Sequence, residues 1–194
     1  MAAPVKLNFK IYQGATFREV LRWESSTKVY VPISGISKSA PAVVTAPAHG
    51  APLGWRAKVV GAGGTKEINT QDYYLITSKT EDTVTFNQVN SLGYAAYTSG
   101  GVLEYNQPVQ LLEYSARMQI RTKLDSPEVL LELTTENGGI SINQELCTIT
   151  IFVSAAQTEL LNFVQSVYSL ELVRGTEVIP FSTGNIQLVK EVTR

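Results

Sequence analysis

Two side chains of the types that enzymes and metal sites use most often occur once each in this chain, namely His49 and Cys147. A histidine can serve as a general base and a cysteine as a nucleophile, and both can bind a transition metal. Metal centres need several such ligands close together. The chain has no second histidine or cysteine and no Asp-x-Asp spacing, so the sequence does not predict a metal site.

Neither residue lies in a sequence context that is typical of catalysis. His49 stands in Pro47-Ala48-His49-Gly50, which predicts a turn, and no Gly-x-Ser-x-Gly nucleophile pattern is present. We therefore expect the histidine ring to pack on a neighbouring strand. Cys147 shares an alternating set with Ile149, Ile151 and Val153, so we expect a buried structural thiol on the apolar face of a strand.

Two further sequences suggest chemistry only superficially. Asp125 and Glu128 are close enough for an acid–base pair, but the Lys-Leu-Asp-Ser-Pro-Glu context favours a solvated turn. The segment Gly61–Lys66 lacks both the Gly-Lys-Ser/Thr ending of a phosphate-binding loop and the third glycine of a dinucleotide-binding fingerprint. We interpret it as a β-turn. The sequence therefore predicts neither an enzyme nor a cofactor.

The aromatic residues allow two interpretations. Trp23 continues an apolar alternation and is expected in a core, whereas Trp55 follows a glycine and is expected to be half exposed. Three further rings are spread through the middle of the chain: Tyr94, Tyr97 and Tyr105. They could form a platform for a sugar, but closure of a small β-barrel over its own aromatic residues is the interpretation that we favour.

The elements that must position these residues are predominantly strands. Apolar residues alternate with polar ones along several runs, which is typical of strands with one buried face. The alternating sets are Ala116/Met118/Ile120, Val129/Leu131/Leu133, Cys147/Ile149/Ile151/Val153, Tyr168/Leu170/Leu172 and Ile186/Leu188/Lys190/Val192. The sequence therefore predicts an all-β fold.

Turns and one helix interrupt this pattern. Asn137-Gly138-Gly139 and Arg174-Gly175-Thr176 predict hairpin turns, and Ser182–Asn185 predicts a third turn. Ser154-Ala155-Ala156-Gln157 fits a capping box, in which the serine and glutamine side chains bond each other's backbone N–H groups. The pattern predicts one short helix, roughly over 155–162.

Residues 37–108 differ in composition from the rest of the chain, because they contain several short segments rich in alanine, proline and glycine. This shift predicts a small β-barrel in 37–108, inserted into a β-sandwich made of 1–36 and 109–194. The alternative is one larger β-domain with a long decorated hairpin.

Charge and composition limit the possible partners. Only 17% of the residues are charged, with 16 basic against 17 acidic, and no apolar run reaches the ~18 residues of a membrane helix. We therefore expect no nucleic acid and no membrane as partner. A secretory signal is absent and one cysteine cannot form an internal disulfide, so we expect synthesis in a cytoplasm. Residues 1–36 carry five basic and two acidic groups, whereas residues 109–194 carry six basic and ten acidic groups. This opposite net charge could help one subunit dock on the next.

Residues 43–50, Val-Val-Thr-Ala-Pro-Ala-His-Gly, resemble the opening of a small β-barrel module that is common in phage tail proteins. That module is similar to the first catalytic-cysteine half-domain (FCCH-like) barrel of ubiquitin-activating enzymes. The resemblance continues through 60–69 and 73–78 and ends with 82–86 and 93–101. It implies turns at glycine and asparagine positions and no catalytic residue.

Residues 11–17, Ile-Tyr-Gln-Gly-Ala-Thr-Phe, resemble the start of the immunoglobulin-like N-terminal domain of BppU-like baseplate and tail proteins, with Ala15 in place of the usual aspartate. Residues 114–121 resemble the next strand of that domain and 154–161 its helix. Residues 168–172 and 184–194 resemble its last strands. This second resemblance implies an immunoglobulin-like β-sandwich for the outer domain.

Together the resemblances imply a structural virion protein of a tailed bacteriophage, made in the host cytoplasm and located in the tail. The implied role is a tail or baseplate adaptor that forms a homo-oligomer on a symmetric ring. It would bind other virion proteins, such as the tail tube, an adaptor ring, a fibre or a tailspike. A capsid or neck decoration protein and a host-surface carbohydrate-binding module are the alternatives.

Candidate interface residues lie in the loops, where scaffolded binding sites are usually built. In the inserted barrel these loops are 49–55, 61–66 and 94–101, and in the outer domain they are 122–128 and 137–139. The candidates are His49, Trp55, Gly63, Lys66, Tyr94, Tyr97, Asp125 and Asn137.

Overall fold

A computed structural model describes residues 3–190 and is nearly all β, with one short α-helix. The first seven strands are β1 (Val5–Lys6), β2 (Phe9–Tyr12), β3 (Phe17–Arg22), β4 (Glu24–Pro32), β5 (Gly35–Ile36), β6 (Ala42–Thr45) and β7 (Arg56–Val60). A single 3-10 turn at Lys66–Ile68 precedes β8 (Tyr74–Leu75), β9 (Ser78–Lys79), β10 (Thr83–Phe86) and β11 (Val102–Pro108). The remaining elements are β12 (Ser115–Arg121), β13 (Leu131–Thr134), β14 (Ile140–Asn143), β15 (Thr148–Val153), α1 (Ala155–Glu159), β16 (Gln165–Arg174) and β17 (Glu177–Val189).

The chain folds into two compact units. The first comprises the described residues up to Arg22, Leu111–Gln144 and the described residues from Thr148 onward. The second comprises Trp23–Gln110 and the short segment Glu145–Cys147.

The first unit contains two sheets. The larger has the order β1-β17-β16-β12-β13, with β2 also on β17, and the smaller has the order β14-β15-β3. Strands β1 and β2 run parallel to β17, whereas the other neighbours are antiparallel. Apolar side chains from both sheets are buried, as expected for an all-β sandwich: Ile11, Leu21, Met118, Ile120, Leu133, Ile149, Ile151, Leu170, Leu172 and Ile186.

The turn expected at 182–185 is absent, because β17 runs through it without interruption. The backbone of Leu7, between β1 and β2, runs beside β17 at Gly184, and a Cβ atom on Gly184 would lie 1.6 Å from the Leu7 carbonyl oxygen. The glycine is needed for this close approach and does not mark a turn. Residues 191–194, which include Val192 and the end of the expected last strand, lie outside the described residues.

The expected capping box at the start of α1 is confirmed, since the Ser154 hydroxyl accepts the Gln157 backbone N–H and the Gln157 side chain accepts the Ser154 N–H. The helix ends at Glu159, earlier than predicted. The Gln13 amide donates to the carbonyl oxygens of Glu159 (3.1 Å) and Leu161 (2.9 Å). Those carbonyls are therefore satisfied without a further helical turn.

The second unit contains two four-stranded sheets, with orders β5-β6-β10-β9 and β4-β11-β7-β8. The expected closed barrel is wrong: no strand pairing among the described residues joins the two sheets into one. Three of the four edge strands, β5, β8 and β9, have only two residues each, so they offer few backbone groups for pairing between the sheets. The core lies between the sheets and includes Val44, Trp55, Val59, Ile76, Phe86, Leu103 and Cys147.

The bounds of this unit differ from the expected insertion at 37–108. The unit starts at Trp23, because β4 pairs along its length with β11. It also takes in the turn at 145–147. Cys147 is buried as expected, but it stands in that turn with φ of 51°, ahead of the strand β15.

Candidate interaction surface

Two of the expected interface loops in the second unit are bonded to each other. The Gly63 N–H donates to the Ser99 carbonyl (2.8 Å), and the Thr98 N–H donates to the Gly63 carbonyl (3.0 Å). We call residues 61–66 and 94–101 the paired loops. Their backbone bonds hold two segments that are about thirty residues apart in sequence against each other, as a ladder bond does in a sheet.

Close packing between the paired loops explains their glycines. A Cβ atom on Gly64 would lie 2.0 Å from the Ala96 carbonyl oxygen, and one on Gly101 would lie 2.8 Å from the Ala62 Cα. Both glycines also have positive φ, of 78° and 86°, which other residues rarely adopt. Close packing and backbone conformation therefore account for these two glycines.

The aromatic residues of the paired loops are anchors. Tyr94 and Tyr97 are half-buried and pack against the core of the second unit. The Tyr97 hydroxyl lies within hydrogen-bond distance of the carbonyl oxygens of Ile33 (2.8 Å) and Gly100 (3.0 Å). Of the candidate residues here, only Lys66 presents an exposed side chain.

His49 is buried at 2% exposure and holds its own turn together. Its Nδ1 accepts the Ala51 N–H (3.1 Å), while Nε2 lies 3.0 Å from the Thr80 carbonyl oxygen and 3.2 Å from that of Thr83. Because Nδ1 is an acceptor, Nε2 carries the proton and donates. The expectation of a ring packed on a neighbouring strand is confirmed, since Thr83 begins β10. The ring is not available at an interface.

Trp55 is fully buried, whereas half exposure was expected. Its indole N–H donates to the Asn106 carbonyl (2.7 Å). Gly54, at φ of 75°, donates its N–H to the Ile76 carbonyl and turns the chain so that the indole enters the core. Trp23, expected in a core, is half-buried instead.

The two candidates in the first unit differ in role. Asp125 is exposed in a turn, as expected. Asn137 is exposed but fully engaged: its Oδ1 accepts the N–H groups of Thr134 and Gly139 (both 2.9 Å), and its Nδ2 donates to the Glu132 carbonyl (3.0 Å). Glu132 and Thr134 alternate with the β13 residues that bond β12, so Asn137 caps the free edge of β13.

A polar cluster on the outer face of β4, β11 and β7 was not predicted. Glu104, only 9% exposed, accepts a hydrogen bond from the Tyr73 hydroxyl. The ammonium groups of Lys28 and Lys58 lie 3.5 and 3.6 Å from the same Glu104 oxygen and 4.7 and 5.1 Å from the centre of the Tyr73 ring. Only the strand register brings these residues together, so no local pattern could reveal the cluster.

The contacts within the cluster shift the pKa values of Glu104 and Lys28. The hydrogen bond from Tyr73, followed by the nearby lysines, holds the pKa of Glu104 below its usual value. The hydrogen bond with Tyr73 likewise raises the pKa of Lys28. Both groups are thus held in their charged forms, which is typical of a structural ion-pair network.

The outer face of the large sheet in the first unit carries two shallow depressions of about 300 Å³ each. One is lined mainly by amide side chains beside a lysine: Asn8, Phe9, Lys10, Gln165, Asn185 and Gln187. The other is lined by paired charges: Arg117, Gln119, Glu132, Ser169 and Glu171. No local sequence pattern marks either depression, since their members come from different strands.

Residues 3–190 contain no group of three or more histidine, cysteine or carboxylate side chains placed to hold a metal ion. The same residues form no helix long and apolar enough to cross a membrane. A scan of the chain against models of protein families gives no match, and a search of curated proteins finds none that is significantly similar.

Proposed function

We propose that this protein is a structural component of a tailed-phage particle, a tail or baseplate adaptor that positions fibres or receptor-binding proteins on the tail core. The observation that carries the proposal is the pair of bonded loops: 61–66 and 94–101 form one rim fixed by backbone hydrogen bonds and crowded glycines. A rim of this kind suits docking, because little conformational entropy is lost when it binds. The sequence resemblances to phage tail modules supply the biological setting.

In this role the protein acts by assembly. Copies arranged on a symmetric ring bind the tail tube or an adaptor ring, and each copy presents its paired loops to a neighbour, fibre or tailspike. Multiple copies give avidity, so each single contact can be weak.

The test is mass spectrometry of density-purified particles, with copy number measured against the major capsid protein. We expect on the order of 6 to 18 copies per particle, as closed tail rings require. Hundreds of copies would identify a capsid decoration protein instead, and absence from particles would overturn the structural role. The carbohydrate-binding alternative predicted quenching of Trp55 by polysaccharide, and burial of that indole removes this signal.

A further inference from the structure

One edge of the large sheet in the first unit is basic. Lys6, Asn8, Lys10 and Tyr12 alternate along β1 and β2 with inward residues such as Ile11, and all four are exposed, Tyr12 at 48%. We call these four residues the basic strip. The amide-lined depression lies beside it, and none of the residues lining that depression is acidic.

The depression offers hydrogen-bond donors that the described part of the chain does not use. The side-chain amides of Gln165 and Gln187 have no hydrogen-bond partner among residues 3–190. Gln187 stands beside Lys10 in the strand register, so an amide and an ammonium group lie next to each other. Such a pair suits a carboxylate, which accepts from both.

The opposite edge of the same sheet is acidic. Four exposed carboxylates lie on or beside β13: Asp125, Glu128, Glu132 and Glu136. We call them the acidic edge. Three cations, Arg117, Arg121 and Lys123, are nearby. Arg117 is paired with Glu171, and Arg121 is bonded to Gln119 and to the Ser126 carbonyl. Leu124, at 83% exposure, projects from the same loop.

The two charged edges are separated by the width of the sheet. Four strand spacings place the outermost strands roughly 19 Å apart. One copy therefore cannot bring its own two edges together. The amide of Asn137 occupies outward backbone groups of β13, so a partner at the acidic edge must bind through side chains and not as an added strand.

We propose that a second copy of this chain docks here, with the acidic edge of one protomer on the basic strip and amide-lined depression of the next. The carboxylates bind Lys6, Lys10 and the neighbouring amides, and Leu124 packs on Tyr12. The two surfaces differ, so the contact is heterologous and repeats from copy to copy until a ring closes. This inference rests on the proposed assembly function and supplies its subunit contact.

A charge-swap experiment tests the contact. In one variant, K6E/K10E, both edges are acidic, and in a second, E128K/E132K, the acidic edge becomes basic. The wild type should self-associate in sedimentation velocity at low ionic strength, each variant alone should be monomeric, and an equimolar mixture of the two should associate again. Zero-length carbodiimide crosslinking should join Lys6 or Lys10 to carboxylates of the acidic edge between copies.

The matched control is K38E/K79E, which makes the same charge change as K6E/K10E but at exposed lysines of the second unit. It should associate as the wild type does. Circular dichroism checks that every variant is folded. A monomeric wild type over the full concentration range, association that survives both charge reversals, or a mixture that stays monomeric would each overturn the contact. Detection of the protein in particles at ring copy number would leave the proposed function standing in any of these cases.

Discussion

Individual polar side chains in this protein hold loops in place through hydrogen bonds to the backbone. His49, Trp55 and Asn137 each form hydrogen bonds with backbone groups of other segments or of their own turn. The turn context of His49 predicted the position of its ring, because proline and glycine flank it. Nothing local predicted the burial of Trp55, since its direction depends on the positive φ of Gly54 and on β11, which lies about fifty residues away.

Replacement of Asn137 by alanine should destabilise the first unit by about 1–2 kcal/mol, because three bonds to backbone groups are lost while water replaces some of them at this exposed site. Urea unfolding followed by circular dichroism measures the change. The matched control is Asn162→Ala, at an exposed asparagine. Equal stability of the two variants would show that the edge cap contributes nothing.

A second prediction concerns the paired loops. Gly54→Ala and Gly64→Ala place a Cβ at nearly the same φ, 75° and 78°, but only Gly64 is crowded, with the Ala96 oxygen at 2.0 Å. The first should cost about 1 kcal/mol from backbone strain alone, and the second should cost about 1–3 kcal/mol more from overpacking. Both tryptophans lie in the second unit, so fluorescence-detected unfolding compares the variants. Equal costs would mean that the loops separate easily.

At the scale of elements, the period-two pattern predicted strands well and their pairing poorly. The buried alternation of β12 and β16 is that expected from the sequence. The alternating set Val129/Leu131/Leu133 predicted a strand from Val129, but β13 begins two residues later, at Leu131. The parallel pairing of β1 and β2 with β17 joins residues more than 170 positions apart, and the absence of a closed barrel depends on very short edge strands. Neither has a local sequence signal.

The close approach of Leu7 to β17 provides a test of that pairing. Gly184→Ala should destabilise the first unit by about 1–3 kcal/mol, because the new methyl group overlaps the Leu7 carbonyl. Hydrogen exchange should show faster exchange of the Leu7 N–H, which donates to Thr183. Gly93→Ala, with no atom within 4 Å of the new Cβ, is the control for the change itself. Unaltered protection of Leu7 would contradict the close approach.

At the scale of the whole molecule, composition predicted two parts but misplaced their border. The alanine- and glycine-rich texture begins near residue 37, whereas the second unit begins at Trp23 because β4 belongs to its sheet. Strand β4 contains no alanine and no glycine, so its composition does not mark it as part of the second unit. The charged edges behind the proposed subunit contact were visible only as a net imbalance between the ends of the chain.

Acid should destabilise the second unit through Glu104. Its pKa is lower in the folded protein than the usual 4.5, so its stabilising effect is complete above that value and is lost as the pH falls through the folded-state pKa. Unfolding followed by tryptophan fluorescence from pH 6 downward should show this loss. Glu104→Gln should flatten the acid limb, and an unchanged slope would exclude Glu104 as its source.

Alkali should destabilise both units. Burial raises the pKa of Tyr105 and Cys147 in the second unit and of Tyr168 in the first. Groups with raised pKa values stabilise fully below their usual values, 9.0 for the thiol and 10.0 for the phenols, and that stability is lost as the pH rises through the folded-state values. Denaturation midpoints at increasing pH above 9 measure it. Tyr168→Phe should reduce the pH dependence of the first unit only.

The pairing of β1 and β2 with β17 also sets the order in which the protein can form during synthesis. Residues 23–110 leave the ribosome well before β17 does, so the second unit has most of its strands first. The large sheet of the first unit contains β1 and β2, and it cannot form completely until β17 has been synthesised as far as Val189. A product terminated before β17 would leave the apolar side of β2, including Ile11, without its partner strand and open to chaperones and proteases. The large sheet of the first unit can therefore be completed only after translation has reached the end of β17.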